Sequence, residues 1–359
     1  MTDVRNTARV APVRIADRLV GPGQPPYLIA EVGSNHNGDL DLCHRLVEAA
    51  HRAGADAVKF QSWSSSSLVG RAEYERNTSY SDKKKHFGTL QEMVEAYQMT
   101  PAMHGAVARQ CADLGIDFLS TPFAPEEVEM LAELDVPAYK IASMDVNHPV
   151  LLRSVAATGK PVLLSTGMAT LGEVGTAVDT LRAAGSGPVI LLHCVSIYPP
   201  DPDDVNLRNI PMLEGAFGVP VGFSDHTLGT AAAFAAVALG ACLVEKHFTL
   251  DKELAGWDHA ISADPTELTA LAHDLGFVQR SLGSSERRVS EAEQAKRLKF
   301  RRRVVLRRAL PAGTVLTLAD LDFKRPGTGI DPDKYPAILG RAIKDDLPAD
   351  HELEWSDLA

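Results

Sequence analysis

Tyr27-Leu28-Ile29-Ala30-Glu31-Val32, the loop Gly33-Ser34-Asn35-His36-Asn37-Gly38, a helical stretch over 40–53 and then Ala57-Val58-Lys59-Phe60-Gln61 together decide the fold. The first and last runs are short, nearly continuous and apolar, as strands buried on both faces of a parallel sheet are. Between them Leu42, Leu46, Val47 and Ala50 share one helical face, and Gly54 ends the helix.

The same unit recurs along the chain. Further strand-like runs lie at 117–120, 138–142, 161–164, 188–192, 219–223 and 242–246. Helical patterns lie at 101–114, 125–134, 149–158, 171–184, 228–240 and 264–282, with Pro101 and Pro125 at first-turn positions. Strands each followed by a helix or a long loop, over about 250 residues, predict an α/β chain of the (β/α)8 TIM-barrel class. The connection 62–100 is longer than usual and carries Trp63, Tyr74, Tyr80 and Lys83, Lys84 and Lys85; such loops are commonly functional.

The pattern changes after residue 284. A charged linker with helical character is expected over 285–303, and a small β-rich domain over 304–359, with strands at 304–306, 315–316 and 321–324. A domain of about 60 residues buries little core by itself, so docking onto another surface is expected. The barrel is assigned to 1–284.

Composition bounds the function. Of 359 residues, 45% are hydrophobic and 23% charged, as in an ordinary globular protein. A net charge of −11 argues against general nucleic-acid binding, so Arg301–Arg303, Arg307 and Arg308 are read as a linker or subunit surface. The four cysteines, Cys43, Cys111, Cys194 and Cys242, form no CxxC pair, and Cys194 is read as a core filler. No apolar run reaches the roughly 18 residues of a membrane span, and 1–23 lacks a signal-peptide core. A cytoplasmic location is expected.

In a (β/α)8 barrel the chemistry sits at the C-terminal strand ends. Those ends carry Glu31, then Lys59 and Gln61, Ser120-Thr121, Lys140 with Ser143 and Asp145, Ser165, His193 with Ser196 and Tyr198, Ser224-Asp225-His226, and Glu245 with His247. Lys59 and Lys140, with Ser143, Ser165, the Gly167 backbone and Ser224, make a site for phosphate and carboxylate. His226 and His247 suit a divalent ion such as Mn2+, although imidazole ligands leave Fe, Co and Zn open. A metal beside an anion pocket suits polarisation of a carbonyl oxygen. Glu31, Asp145 and Glu245 are available for proton transfer or orientation.

Several runs resemble one family. They are 29–38, 55–61, Tyr139-Lys140-Ile141-Ala142-Ser143, Leu164-Ser165-Thr166-Gly167-Met168, His193-Cys194 through Tyr198-Pro199, Phe223-Ser224-Asp225-His226-Thr227 and Glu245-Lys246-His247-Phe248. In this order they resemble the sialic acid synthase family, which includes N-acetylneuraminate, legionaminate and pseudaminate synthases. The tail, with Lys324-Arg325-Pro326-Gly327-Thr328-Gly329, resembles that family's antifreeze-like (SAF) domain.

The resemblance implies condensation of phosphoenolpyruvate with an amino-sugar aldehyde of N-acetylmannosamine type, with release of phosphate. Lys59, Lys140, Ser143, Ser165 and Ser224, with Gln61 nearby, would bind phosphoenolpyruvate. His226 and His247 would bind the metal, Mn2+ first, with Mg2+ or Co2+ as further options. Glu31, Tyr198 and Asp258 would contact the sugar, and Asp145 would stand near the reacting atoms. Arg325 would reach the sugar from the partner chain of a domain-swapped homodimer. Three positions depart from the family's habit: Asp145 in place of Glu, Ser196 in place of Asn, and a bulky Trp257 beside Asp258. The last two bear on the choice of sugar. Heptulosonate or octulosonate phosphate synthesis and a non-catalytic sugar- or ice-binding role are the competing readings. The tail and the Asn35–Gly38 loop argue against the first, the polar strand ends against the second.

Overall fold

The computed structural model describes residues 10–81, 86–325 and 327–359. Lys83, Lys84, Lys85 and Pro326 lie outside the described residues. The chain divides into two compact units between Gly283 and Ser284.

The first unit is an eight-stranded parallel sheet rolled into a barrel. Its strands are β1 (Tyr27–Gly33), β2 (Ala57–Ser62), β3 (Asp117–Pro122), β4 (Tyr139–Ile141), β5 (Val162–Ser165), β6 (Val189–Cys194), β7 (Val221–Asp225) and β8 (Leu243–His247). Parallel ladders run β3-β2-β1-β8-β7-β6-β5-β4. β3 and β4 then lie side by side, so the ring is nearly closed. Helices α1 (Leu40–Ala53), α2 (Pro101–Leu114), α3 (Pro125–Glu133), α4 (Pro149–Ala157), α5 (Leu171–Ala183), α6 (Asn209–Phe217), α7 (Ala231–Ala238) and α8 (Pro265–Leu282) follow the strands in turn.

Local chemistry explains the helix ends. Asp39 caps α1, accepting from the Asp41 and Leu42 amides, and Gly54 ends it at φ +87°. Two differences from the expected helices have local causes. α7 begins at Ala231 rather than 228, because Asp225 Oδ1 binds the Thr227 amide and hydroxyl and Gly229 takes φ +70°. α6 was not expected: Pro211 and Gly215 blur its apolar pattern, yet it buries Ile210 and Leu213.

Alternation along the strands sorts the side chains. Outward residues such as Leu28, Ala30, Val58, Phe60, Leu164, Leu191 and Val244 form the main core with the helices. Inward residues Tyr27, Ile29, Ala57, Leu119, Leu163, Leu192 and Leu243 form a second, apolar layer inside the barrel. An N-terminal hairpin, Val13–Ile15 with Arg18–Val20, adds Val13, Ile15 and Val20 to that inner layer. The alternation of Val13 and Ile15 is the sequence signal for its first strand. Above the apolar layer the inward positions turn polar.

One ion pair lies wholly in the packing between strands. Lys246 Nζ meets Asp225 Oδ2 at 2.9 Å with both side chains no more than 1% exposed. Lys246→Met should destabilise the protein by about 3–5 kcal/mol, because it leaves a buried carboxylate without its cation. Urea unfolding checks this; a loss below about 1 kcal/mol would contradict it.

The second unit includes the expected linker, which forms the helix Glu291–Phe300. Its strands are fewer than expected. Arg303–Leu306 pairs antiparallel with Leu321–Lys324, and the remaining pairings are single bridges, among them Val315 with Ala342. The unit nevertheless has its own core, built on Val304, Leu306, Leu316, Leu321, Ile338 and Leu353. That core is small, ten buried apolar residues, as expected of a domain of this size. Among the described residues no helix is long and apolar enough to cross a membrane.

Candidate active site

The polar inward positions line a cavity of about 270 Å³ at the C-terminal end of the barrel. Parity explains which residues reach it. Glu31 is two residues beyond inward Ile29, Lys59 two beyond Ala57, Ser165 two beyond Leu163, and Glu245 two beyond Leu243. Gln61, Lys140, Ser143, Ser196, Tyr198, Ser224, His226 and His247 complete the expected residues found on its wall.

Its floor is a buried network of charges. Lys59 Nζ lies 2.5 Å from Glu31 and 3.8 Å from Glu245, and Lys140 Nζ lies 3.5 Å from Glu245. Lys59 also donates to Thr121 Oγ1 at 3.1 Å, Ser224 Oγ donates to Glu245 at 3.0 Å, and Gln61 donates to Glu31 at 3.0 Å. Four buried ionisable groups would be costly apart; here each lysine faces a carboxyl group. Burial pushes Glu31 up to about 7, with Glu245 reinforcing it against the pull of Lys59. Burial also pushes Glu245 up, but Lys140, Lys59 and the Ser224 hydroxyl outweigh it and hold the carboxyl below its ordinary value. Burial lowers Lys140, and nearby Lys59 adds to this against the opposing pull of Glu245. Lys59 is raised: its own burial is outweighed by Glu245 and Glu31.

The anion-binding hydroxyls are held close together. Ser143 Oγ accepts from the Gly167 amide at 3.0 Å. A side chain at Gly167 would meet Ser196 Oγ and, at 2.8 Å, Ser143 Oγ, so any residue but glycine would displace these hydroxyls. Ser165 Oγ is buried without a hydrogen-bond partner.

The two histidines stand beside this floor. Their rings are 5.3 Å apart, and the Tyr198 ring stacks on His226 at 4.0 Å. His226 Nδ1 pairs with the Val195 carbonyl at 2.8 Å, which leaves Nε2 for another partner. His247 Nδ1 is buried without a hydrogen bond, 3.7 Å from Asp258 Oδ2. Burial, His226 and the lysines hold His247 well below its ordinary value, so the ring is neutral. Among the described residues no group of three or more His, Cys, Asp or Glu converges on one point. The histidine pair fits a metal that takes its other positions from water or substrate, since both rings offer a free nitrogen.

Other expected residues lie elsewhere. Asp145 does not line the cavity. It is buried in the turn Ser143–Asp145, with His148 and Glu127 as its ionisable neighbours, and burial pushes it up to about 6. Asp258 is beside His247 rather than on the cavity wall. Arg325 belongs to the second unit, where its guanidinium stands 5.3 Å from the Phe300 ring centroid. Ser120 and His193 have the opposite parity: Ser120 bonds Ser62, and His193 bonds the Val205 carbonyl.

Cys194 corrects the reading as core filler. It lines the cavity, its sulfur 3.9 Å from His226 Nδ1. Burial raises its thiol, but His226, Lys140 and Ser143 outweigh this and lower it. Thr121, Phe123 and Met168 also line the cavity without having been assigned a role. Strand parity was the signal for Thr121 and Cys194.

Comparison with known proteins agrees with this geometry. The NeuB family matches residues 46–287 and the SAF domain matches 301–359. The N,N'-diacetyllegionaminic acid synthase of Legionella pneumophila is 39% identical over 94% of this chain and 96% of its own. An uncharacterized protein of Methanocaldococcus jannaschii is 42% identical over 96% of this chain and 98% of its own. The crystal structure of an N-acetylneuraminic acid (sialic acid) synthetase from Leptospira borgpetersenii, solved with citrate, aligns with a TM-score of 0.72. It is 33% identical and covers 80% of this chain and 95% of that one. With a barrel whose buried lysines and histidines meet at one mouth, and with a SAF tail, this chain belongs to the NeuB family of synthases.

Proposed function

We propose that the chain joins phosphoenolpyruvate to the open-chain aldehyde of an amino sugar of N-acetylmannosamine type, giving a sialic-acid-type acid and phosphate. The observation that carries this reading is the buried pair Lys59 and Lys140, ringed by the hydroxyls of Thr121, Ser143, Ser165 and Ser224. Cations and hydroxyls in a water-poor cleft select a small anion bearing phosphate and carboxylate.

The enol carbon of phosphoenolpyruvate attacks the aldehyde carbon, and the carbonyl electron pair moves onto its oxygen. Water adds at the cationic carbon left behind, its proton is passed on, and the carbon–oxygen bond to phosphate breaks. Lys59, Lys140 and the serines hold the anion in line for attack. Glu31, oriented by Gln61 and raised to about 7, holds a proton near the acceptor oxygen. Ser196, Tyr198 and Asp258 contact the sugar. His226 and His247 would hold a divalent ion, Mn2+ with Mg2+ or Co2+ as alternatives, which supplies Lewis-acid polarisation of a carbonyl when bound.

The test is phosphate release from phosphoenolpyruvate with Mn2+ across N-acetylmannosamine, its 6-phosphate and 2,4-diamino-hexoses. No release with any amino sugar would overturn the reading. The proposal includes a cytoplasmic, domain-swapped homodimer in which Arg325 acts on the partner's sugar. A compact tail with only a small core of its own fits a unit that docks on another chain. Mixed dimers of inactive Lys140→Ala and Arg325→Ala chains should recover part of the activity. Verified mixed dimers with none would count against subunit sharing.

A further inference from the structure

We propose that Trp257 is a positioning residue for the acceptor sugar: it locks the loop between β8 and α8 against the 62–100 connection and so sets where Asp258 stands. This rests on the reading of Asp258 as a sugar contact.

One flank of the loop is fixed by the Asn35–Gly38 turn. Asn37 Nδ2 donates to the Ala255 carbonyl at 3.0 Å, and Asn37 Oδ1 lies 3.3 Å from His259 Nε2. Gly256 is flush with both: a Cβ there would stand 2.8 Å from Asn37 Oδ1 and from His259 Nε2. Behind Asp258, Ser262 Oγ donates to the Asp258 carbonyl at 2.7 Å. These bonds fix the backbone on either side of Trp257 and Asp258.

The outer flank is held by aromatic rings. Trp257 stands edge to face with Tyr97, centroids 6.2 Å apart at 88°, and tilted against Trp63 at 6.3 Å. Both partners belong to the long connection: Trp63 follows β2 and Tyr97 ends the helix Leu90–Tyr97. Trp63 in turn stands edge-on to Phe123 at 6.0 Å, and Phe123 lines the catalytic cavity. Offset and edge-to-face pairs of this kind are directional, so they fix orientation as well as distance. The neighbouring Asp258 carboxylate, 3.7 Å from His247 Nδ1, depends on that orientation. The residues that hold phosphoenolpyruvate sit on strands and on the Ser143 turn, outside this loop. The lock therefore acts on the sugar half of the site.

Steady-state kinetics on Trp257→Ala and Trp257→Phe, with amide hydrogen exchange on both, test the proposal. Trp257→Ala should raise the KM for the amino sugar about 10-fold and leave the KM for phosphoenolpyruvate within about 2-fold, the loss of one oriented contact. Trp257→Phe should restore most of the sugar affinity. Exchange should quicken at 90–97 and 248–264 in the alanine variant and much less in the phenylalanine one. Should Trp257→Ala fail to fold, Trp257→Leu takes its place. Both KM values rising together, or a phenylalanine variant no better than alanine, would overturn the positioning role. Unchanged exchange would overturn the lock itself, whatever the acceptor. A wild-type chain that releases no phosphate with any amino sugar would overturn the proposed function, and the sugar role with it.

Discussion

Lys140→Met should lower kcat/KM by about a thousand-fold while the barrel still folds. Lys140 is at most 5% exposed and faces Glu245 at 3.5 Å on the cavity floor. A substrate anion there would be bound by an ammonium with almost no water to share the charge. Truncating one partner of a buried, hydrogen-bonded charge pair costs roughly 2–5 kcal/mol, and each 1.36 kcal/mol is tenfold in rate. The folded chain has reason to tolerate the change. Burial already disfavours the charged Lys140, and Glu245 keeps Lys59 at 3.8 Å and the Ser224 hydroxyl at 3.0 Å. Phosphate-release kinetics with urea unfolding separate the two effects. Methionine retaining more than a tenth of the wild-type kcat/KM would remove Lys140 from the anion site. Arginine should not rescue it, because its planar fork does not fit the space of a point charge.

The barrel was legible because its strands are short and its helices capped, features set by local residues. The site was legible only in part, and parity shows why. Glu31, Lys59, Lys140, Ser224, Glu245 and His247 all point inward, but a strand apolar on both faces does not announce which face is inside. Ser120 and His193 are as polar and as close to the strand ends, yet they bond to Ser62 and Val205 on the outer side. Only the register between strands separates the two sets. Asp145 follows the Lys140–Ser143 run in sequence, but the turn Ser143–Asp145 carries its side chain away from the cavity. The aromatic lock was the least legible part. Trp63, Tyr97, Phe123 and Trp257 are far apart in the chain, and their meeting depends on how the long connection packs.

Replacing either His226 or His247 with alanine should remove a bound divalent ion and abolish turnover. Each ring is prepared for one donor bond outward. His226 Nδ1 is committed to the Val195 carbonyl, and the ring is braced by Tyr198 at 4.0 Å. Burial, with His226 and the nearby lysines, holds His247 well below its ordinary value, and its Nδ1 has no hydrogen bond. Removing only the group that braces a ligand typically costs 10–100-fold in metal affinity, so with two protein ligands the loss of one should be nearer complete. Metal content by elemental analysis reads this directly, without reference to the reaction: about one ion per wild-type chain loaded with Mn2+, and little in either variant. Variants that keep the ion, or a wild-type chain fully active in excess chelator, would remove the metal from this site and leave Lys59 and Lys140 to carry the anion alone.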